Sequence, residues 1–395
     1  MKITALDILH ADGGWRTLSF LKVSTDEGLV GWSEFYEGFG VGGASDLIRR
    51  FTGSVLGRDP RDVAPLSAML HAISRLNPGG IAHQAIAAIE NACLDIKARA
   101  LGVPVYALFG GAHRDTIPLY WTHCGYFRAT RPELFEERLG LSGIRSLDDV
   151  KALGADVAAR GFSALKTNPL IFTNGQARAF DPGFSPLPSS VARDLPPDLV
   201  PATRDLIEAF RDGAGDDVAI HLDLNFTLRP DGYRAVLGAL ADAGLAWVEI
   251  DHPDPRALAA LRQGSVAPVA SLEAIYGGRA YLDFLREDAV DVAIIDVIWN
   301  GVLESVRIAT IADAFDVAIA PHNFYGELGT AISAHLCAAV PNARTMEFEV
   351  DDAPWRAEFV HAPLEIRDGQ LVLPTGPGWG VDPDENAIRE RAAQP

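Results

Sequence analysis

Six acidic or imidazole side chains recur along the second half of the chain at a nearly constant interval. Each follows a short apolar, β-branched run and precedes a segment with the pattern of a helix. The intervals are 26, 24, 23, 26 and 25 residues. The six residues are Asp223, Glu249, Glu273, Asp296, His322 and Glu347. Three carboxylates followed by an aspartate, a histidine and a glutamate indicate a metal site beside an acid–base pair.

The intervals also predict the elements that position these side chains. A strand of about five residues, a helix of about twelve and two short loops fill an interval of this length. Six such units form most of a (β/α)8-type barrel, in which chemistry takes place at the C-terminal ends of the strands. Two earlier segments complete the barrel: IPLYWTHCG is strand one, and FSALKTN, which ends at Lys166 and Asn168, is strand two.

The connection between the second and third strands is longer than the others. From Lys166 to Asp223 is 57 residues, more than twice the usual interval. The excess, Leu170–Pro201, is rich in Pro, Gly and Ser. We therefore predict a long loop that lies over the mouth of the barrel.

The chain ahead of the barrel has a different pattern. Residues 3–9 and 19–24 alternate between apolar and polar, as in an antiparallel meander, and a helical pattern follows. We predict an α/β protein in three parts. They are an N-terminal α+β capping domain over residues 1–115, a (β/α) barrel with the catalytic site over 116–355, and a C-terminal segment over 356–395 that returns to the capping domain.

The composition is that of a soluble globular protein, with 48% hydrophobic and 22% charged residues. A formal charge of −19 argues against nucleic acid or an anionic membrane as a partner. The opening MKITALDILH lacks the layout of a signal peptide, and no run approaches the roughly 18 apolar residues of a membrane span. Three widely spaced cysteines suit a reducing compartment, so we expect a cytoplasmic location.

Asp223, Glu249 and Glu273 would end three consecutive strands, so their carboxylates should converge. Three neighbouring carboxylates repel one another and take up protons unless a cation holds them. Ligation by oxygen alone, with room for water and substrate, suits Mg²⁺ better than zinc. A single acid at a strand end is more often simply solvated. Three in register favour a site for one Mg²⁺ per subunit.

Asp296 and His322 would end strands six and seven, within hydrogen-bond reach of each other. The aspartate would fix the tautomer of the imidazole and raise its basicity, which suits a general base. Glu347 would meet the same cavity from strand eight, where it would have to be protonated beside a substrate carboxylate. Glu349 lies on the same strand face, so the choice between the two glutamates stays open.

The remaining polar residues at strand ends have weaker claims. Lys166 could bind a substrate oxyanion or move a proton on the face opposite His322. Asn225 could bind substrate hydroxyls. His123, at the end of strand one, has only a weak claim on the site, and His221 is expected to pack inside the barrel.

At these residues the chain resembles the enolase superfamily, in its mandelate racemase and muconate-lactonizing branch. The resemblance covers nearly the whole chain and depends on STDEGLVGWSE, AIENACLDIKARALGVPVYALFGG, GFSALKTN, HLDLN, WVEI and IAPHN. It implies a modified TIM barrel with a capping domain, and an assembly between dimer and octamer. It implies that Asp223, Glu249 and Glu273 bind Mg²⁺, that His322 with Asp296 is the base, and that Lys166 contacts the substrate carboxylate. The loop at Trp15 and Arg16, with Tyr36, would cover the substrate.

The chain departs from the pattern of this branch at several positions. Its usual Glu-Glu-Pro is Glu249-Ile250-Asp251 here, and the Gly before the third ligand is Leu272. The second lysine of its Lys-x-Lys is Asn168, which cannot abstract a proton. Galactonate-dehydratase-like members also have Lys-x-Asn, but they carry a histidine acid where this chain has Asn225. The general acid therefore has no assignment, although a protonated His322 could serve in a syn elimination.

These residues predict a sugar-acid dehydratase that uses Mg²⁺ and releases a 2-keto-3-deoxy acid. His322 takes the proton α to the carboxylate, and Mg²⁺, Lys166 and Glu347 stabilise the enediolate. Asn168 and Asn225 would contact the substrate. A lactone cycloisomerase or an epimerase acting through the same enediolate is the first alternative. A barrel that binds a ligand without turnover is the second.

Overall fold

The computed structural model describes residues 1–38, 42–184 and 191–394. The chain opens with an antiparallel sheet of three strands in the order β1-β2-β3. These are β1 (Ile3–Asp12), β2 (Thr17–Thr25) and β3 (Val30–Phe35). Three helices follow: α1 (Ala44–Val55), α2 (Val63–Ile73) and α3 (Gly80–Leu101). Helix α3 packs closely on β3, where a Cβ on Gly31 would lie 2.1 Å from the carbonyl oxygen of Ala92. Only glycine permits this approach.

The rest of the chain alternates between strands and helices. Its strands are β4 (Thr116–Trp121), β5 (Ala164–Thr167), β6 (Leu170–Thr173), β7 (Gln176–Ala179), β8 (Ala219–Asp223), β9 (Trp247–Glu249), β10 (Val269–Ser271), β11 (Val292–Asp296), β12 (Ala318–His322), β13 (Met346–Phe348), β14 (Ile366–Arg367) and β15 (Gln370–Val372). Its helices are α4 (Tyr126–Thr130), α5 (Pro132–Leu134), α6 (Leu147–Ala159), α7 (Leu199–Ala214), α8 (Pro230–Ala239), α9 (Pro255–Gln263), α10 (Gly278–Arg286), α11 (Val297–Asn300), α12 (Val302–Asp313), α13 (Glu327–Ala339) and α14 (Glu385–Glu390).

Eight of these strands form a parallel barrel, in the order β4, β5, β8, β9, β10, β11, β12 and β13. Strand β13 pairs with β4, and Ile319 of β12 forms a parallel bridge with Ala343, just before β13. The barrel interior is filled by side chains such as Tyr120, Trp247 and Ile294. His221 is buried there, stacked on Trp247 with ring centroids 3.5 Å apart. The predicted α/β barrel with an N-terminal capping domain is confirmed.

The segment predicted as a loop over the mouth is partly a β-hairpin. Strands β6 and β7 pair antiparallel, with Thr173 opposite Gln176. The two residues between them, Asn174 and Gly175, have φ values of 51° and 75°. Two residues with positive φ, and the sequence Asn-Gly, are typical of a tight hairpin turn. The predicted long connection therefore contains a short hairpin, and its residues Ala177, Ala179 and Asp181 line the cavity. Residues 185–190 of the segment lie outside the described residues.

The C-terminal segment crosses back to the first sheet. Ala392 forms an antiparallel bridge with Ala11, and the indole N–H of Trp379 donates to the carbonyl oxygen of Trp32 over 2.8 Å. Trp379 is fully buried. The N-terminal sheet, α3 and the end of the chain therefore share one core above the barrel. None of the helices in the described part of the chain is long and apolar enough to cross a membrane.

Glu34 joins the capping sheet to the barrel. Its carboxylate accepts the backbone N–H of Gly326 over 2.7 Å and that of Gly329 over 2.8 Å, at the start of α13. Burial raises the pKa of Glu34 from 4.5 to about 7, against the lowering effect of these two N–H groups. Between these two pH values the folded state holds more of this proton than the unfolded state, so the contribution of Glu34 to stability decreases as pH rises.

A Glu34→Gln variant should show this dependence. The glutamine amide has one acceptor oxygen where the carboxyl group of Glu34 has two, and both of these accept backbone N–H groups. We therefore expect the variant to be less stable than the unmodified protein near pH 4.5. The difference should shrink by on the order of 2–3 kcal/mol as pH rises towards 8. Urea unfolding of both proteins across this range measures it, with the exposed Glu365→Gln as control. A difference that stays constant with pH would contradict the assignment.

Candidate active site

Each of the eight barrel strands presents a polar side chain at or just beyond its C-terminal end. In strand order these are His123, Lys166, Asp223, Glu249, Glu273, Asp296, His322 and Glu347. Pairing between neighbouring strands sets them side by side, with Asp223 opposite Glu249 and Asp296 opposite His322. A cavity of about 1130 Å³ opens above them, between the barrel and the capping domain. The structure thus brings the predicted catalytic and metal-binding residues together at one end of the barrel.

Lys166 lies at the centre of the acidic groups. Its Nζ is 2.8 Å from Glu249 Oε2, 3.2 Å from Asp223 Oδ2 and 3.3 Å from Glu347 Oε1. The side chain is only 2% exposed. Burial disfavours its charge, yet these carboxylates raise the pKa of Lys166 well above its usual value. Lys166 is therefore a fixed ammonium group that faces the cavity.

The carboxylates around Lys166 carry more negative charge than one ammonium neutralises. Burial and the repulsion of neighbouring acids raise the pKa of Glu249 well above its usual value, although Lys166 lowers it. The pKa of Glu273 is raised in the same way, with His322 as the main opposing group. A fourth carboxyl, Asp251, is buried beside them, and burial with Glu273 and Asp223 raises its pKa well above the usual range.

The donor atoms fit a hard divalent cation. Within the described residues, Glu249 Oε1 and Asp251 Oδ2 are buried without a hydrogen-bond partner. No group of three or more His, Cys, Asp or Glu in the described part of the chain already stands in a metal-binding arrangement, and Asp223 and Glu249 turn to Lys166 instead. Unpartnered carboxylate oxygens in a cluster of acids are ligands that Mg²⁺ accepts. Asp223, Glu249 and Glu273 could hold the ion, with Asp251 next to them.

His322 and Asp296 form a buried hydrogen-bonded pair. His322 Nδ1 lies 2.5 Å from Asp296 Oδ2, which also accepts the hydroxyl of Tyr325 over 2.5 Å. The other oxygen, Oδ1, accepts the backbone N–H of Trp299 over 2.8 Å. These donors fix the aspartate, and the aspartate fixes the imidazole. Nε2 of His322 remains on the cavity side, 3.6 Å from Glu273 Oε2.

The charge around His322 decides whether it can act as a base. Burial disfavours the imidazolium, but Glu273, Glu347 and Asp296 together raise the pKa of His322 to about 10. A base must be neutral to accept a proton. A cation bound by Glu273 would neutralise that carboxylate, and the pKa of His322 would fall towards the range in which an imidazole works as a base.

Glu347 and Glu349 have separate partners. Glu347 Oε1 accepts the hydroxyl of Thr122 as well as contacting Lys166, and Oε2 accepts the backbone N–H of Asn323 over 3.0 Å. Burial opposes ionisation, but Lys166 and His322 lower the pKa of Glu347 to about 2. Glu347 is thus ionised in this structure. The sequence predicted a protonated Glu347 for the state in which a substrate carboxylate lies beside it. Glu349 instead contacts His123.

The two asparagines lie on the cavity wall next to Asp223. The amide of Asn168 donates to the carbonyl oxygen of Asp223 over 3.2 Å, and its Oδ1 is buried without a partner among the described residues. Asn225 has a φ of 46°, and its backbone N–H donates to Asp223 Oδ1 over 2.8 Å. On the next strands Leu272, which precedes Glu273, has a φ of 94°. A bulky residue rarely adopts this conformation, so the turn that presents Glu273 is strained.

The predicted substrate-covering residues are placed differently from one another. Tyr36 lines the cavity. Trp15 stacks on Phe127 at 4.4 Å and on Phe324 at 6.3 Å, so it lies behind the two rings that form the wall. Arg16 is buried in an ion pair of 2.7 Å with Asp352. Substrate contact by Trp15 and Arg16 stays a prediction, and their contacts in the structure are with the protein.

Three residues at the site received little or no role from the sequence. In the sequence, Asp251 was noted only as a departure from Glu-Glu-Pro. A carboxyl group two residues after a predicted metal ligand could have indicated that it lies beside the metal site. Trp299 lines the cavity with its ring centroid 5.4 Å from that of His322, and a lone Trp gives no such signal. His123 also lines the cavity, paired with Glu349.

Comparison with known proteins finds relatives that cover nearly the whole chain. Among curated relatives, the D-gluconate dehydratase of Thermoproteus tenax is 27% identical over 98% of this chain and 72% of its own length. The D-xylonate dehydratase of Haloferax volcanii is 26% identical over 98% of this chain and 88% of its own. A structure from Burkholderia xenovorans, provisionally named an L-alanine-DL-glutamate epimerase and bound to magnesium and fumarate, has a TM-score of 0.95 at 43% identity. It covers 100% of this chain and 96% of its own.

Two family models divide the chain between them. Residues 13–110 match the mandelate racemase/muconate lactonizing enzyme N-terminal domain. Residues 149–387 match the enolase C-terminal domain-like model, which thus spans seven of the eight barrel strands and the candidate site residues from Lys166 to Glu347. The chain belongs to the mandelate racemase and muconate lactonizing enzyme family of the enolase superfamily.

Proposed function

We propose that this protein is a Mg²⁺-dependent sugar-acid dehydratase that removes the proton α to a carboxylate and then a β-hydroxyl. One observation carries the proposal. The buried His322–Asp296 pair and the Lys166 ammonium face one cavity from opposite sides of a carboxylate cluster. An imidazole base and an oxyanion-binding ammonium are what α-proton abstraction from a carboxylic acid requires.

The residues divide the work as follows. Lys166 binds the substrate carboxylate. This carboxylate then joins Glu249 and Glu347 as a partner of the Lys166 ammonium. His322, oriented by Asp296, accepts the α-proton at Nε2. Asn168 accepts a hydroxyl of the sugar chain at Oδ1, Asn225 hydrogen-bonds another hydroxyl, and Tyr36 closes the cavity from the capping domain. One Mg²⁺ per subunit, held by Asp223, Glu249 and Glu273, supplies a positive charge that stabilises the enediolate.

Elimination is favoured over racemisation because of residue 168. A racemase needs a base on each face of the α-carbon, and the amide of Asn168 has no basic nitrogen. Once the enediolate has formed, loss of the β-hydroxyl gives an enol and then a 2-keto-3-deoxy acid. The D-gluconate and D-xylonate dehydratases at 27% and 26% identity support this class of substrate. We also propose that the partner is a small sugar acid or another carboxylate substrate, and that the protein forms a homo-oligomer.

A library of acid sugars that includes D-gluconate, D-xylonate and D-galactonate tests the proposal. Incubation with the protein and Mg²⁺ should release a 2-keto acid that semicarbazide traps. The same mixtures in D₂O report exchange of the α-proton by mass spectrometry. Exchange without keto acid from any member would reject dehydration. Binding without exchange or keto acid would support a ligand-binding barrel.

A second candidate function is epimerisation. The likeness of 43% identity and TM-score 0.95 to the Burkholderia xenovorans structure named for an epimerase favours it. Lys166 would then have to work as the second base, opposite His322. The raised pKa of Lys166 and its three carboxylate contacts oppose a basic amine. Inversion of L-Ala-L-Glu or of an acid sugar, followed by polarimetry, would establish this alternative.

A further inference from the structure

A second histidine–carboxylate pair faces the same cavity. His123 follows β4 and lines the cavity wall. Its Nδ1 lies 2.9 Å from Glu349 Oε2. The imidazole is 19% exposed and the carboxylate is not exposed at all. Since Nδ1 is bonded to Glu349, Nε2 is the ring nitrogen left for a ligand in the cavity.

The pair is held firmly in place. Glu349 Oε1 accepts the backbone N–H of Asp351 over 3.2 Å, and the carbonyl oxygen of Glu349 accepts Arg356 Nη1 over 2.9 Å. His123 itself has a φ of 44°, an uncommon conformation for histidine, directly after the strand. Burial raises the pKa of Glu349 to about 7, against the opposing effect of His123.

One aromatic ring contacts both the new pair and the base. The centroid of the Phe324 ring is 6.1 Å from that of His123 and 5.0 Å from that of His322. Around the barrel, Glu347 on β13 separates His322 on β12 from His123 after β4. Both imidazoles thus line the same cavity, and a general acid at His123 requires the carbons next to the α-carbon to extend along this wall.

Other polar groups on this wall are poor proton donors. The amides of Asn168 and Asn225 carry no acidic proton. The ammonium of Lys166 is shared by three carboxylates. The phenol of Tyr126 donates to Asp181, and burial raises its pKa far above its usual value. Apart from His322, which could return the α-proton in a syn elimination, His123 is the remaining candidate acid among the groups considered on this wall.

We propose that His123, oriented by Glu349, is the general acid that protonates the leaving β-hydroxyl. The inference deepens the proposed dehydratase function and depends on it. The α C–H bond breaks and its proton goes to His322 Nε2. The electron pair is held first in the enediolate and then forms the Cα–Cβ double bond as the Cβ–O bond breaks, and the hydroxide leaves as water with the proton of His123 Nε2. Tautomerisation of the enol to the keto acid takes up no net proton. After turnover, one proton passes from His322 to His123 through solvent, which restores both histidines to their starting states.

A His123→Gln variant with two substrates tests this role. The substrates are the acid sugar that the unmodified protein dehydrates fastest and its β-fluoro analogue. Fluoride leaves without a proton, so it needs no general acid. We expect His123→Gln to lower keto acid formation from the hydroxy acid by about 10²–10³-fold. Release of fluoride and exchange of the α-proton should each change by less than about fivefold.

Controls separate the possible failures. His361 forms an exposed pair with Asp384, so His361→Gln should leave all three rates unchanged. Glu349→Gln keeps the imidazole and should slow dehydration less than His123→Gln does, which covers the case that the His123 variant does not fold. The inference fails if His123→Gln dehydrates the hydroxy acid at the unmodified rate, or if it slows the loss of fluoride and of water equally. The proposed dehydratase function would remain valid in either case. If the unmodified protein dehydrates nothing, both fail.

Discussion

His322→Asn is expected to lower the rate of α-proton exchange by about 10³-fold or more. Asparagine can keep a hydrogen bond to Asp296 but has no nitrogen that accepts a proton, so only the base is lost. The surrounding charges and the cavity stay in place, and substrate binding should change little. Exchange into D₂O, measured by mass spectrometry on the best acid sugar, reports the base step apart from later steps.

Two comparisons make this result specific. His361→Asn alters another histidine of a histidine–aspartate pair, 64% exposed and outside the cavity lining, and should exchange at the unmodified rate. His123→Gln should also keep exchange, because the proposed acid acts after the α-proton has left. Exchange that survives in His322→Asn would remove this residue from the mechanism and direct attention to Lys166.

Lys166→Met should make the stability of the fold depend on magnesium. Without the ammonium, Asp223, Glu249 and Glu347 lose their common partner in a buried site, and such a loss costs about 3–5 kcal/mol. In EDTA the variant should therefore unfold at clearly lower urea concentration than the unmodified protein. Saturating Mg²⁺ should return on the order of 2–3 kcal/mol, since a ligand that binds only the folded state stabilises it by mass action.

The measurement is urea unfolding of both proteins with EDTA and with Mg²⁺. Lys151→Met is the matched control, because Lys151 forms an exposed ion pair with Asp212 whose loss should cost well under 1 kcal/mol. If Mg²⁺ changes the stability of neither the unmodified protein nor Lys166→Met, the carboxylates do not hold the ion. The magnesium part of the proposed function would then be wrong.

The barrel could be predicted from the sequence because each of its units carries the same local pattern of a short apolar run, a polar residue and a helix-like segment. Each unit places its polar residue at the same point of a strand, and parallel pairing then sets neighbours such as Asp223 and Glu249 side by side. The hairpin of β6 and β7 was also predictable, since Asn174-Gly175 is a strong turn signal that the composition of the segment concealed.

Contacts between distant parts of the chain were not predictable from one sequence. His123 and Glu349 are 226 residues apart, and neither residue has a local pattern that points to the other. Alternate residues of a strand share one face, so the sequence placed Glu347 and Glu349 together. Only the packing shows that Lys166 contacts Glu347 and that His123 contacts Glu349. Arg16 likewise pairs with Asp352 through the fit of the capping domain on the barrel.

The return of the C-terminal segment to the first sheet affects how the protein is made. The indole of Trp379 fills the core of the first sheet and bonds to Trp32, which the ribosome has synthesised 347 residues earlier. The nascent capping domain therefore lacks this part of its core until residue 379 has been synthesised and has left the ribosome. Chaperone binding during synthesis, and aggregation of prematurely terminated chains, are the expected consequences of this chain order.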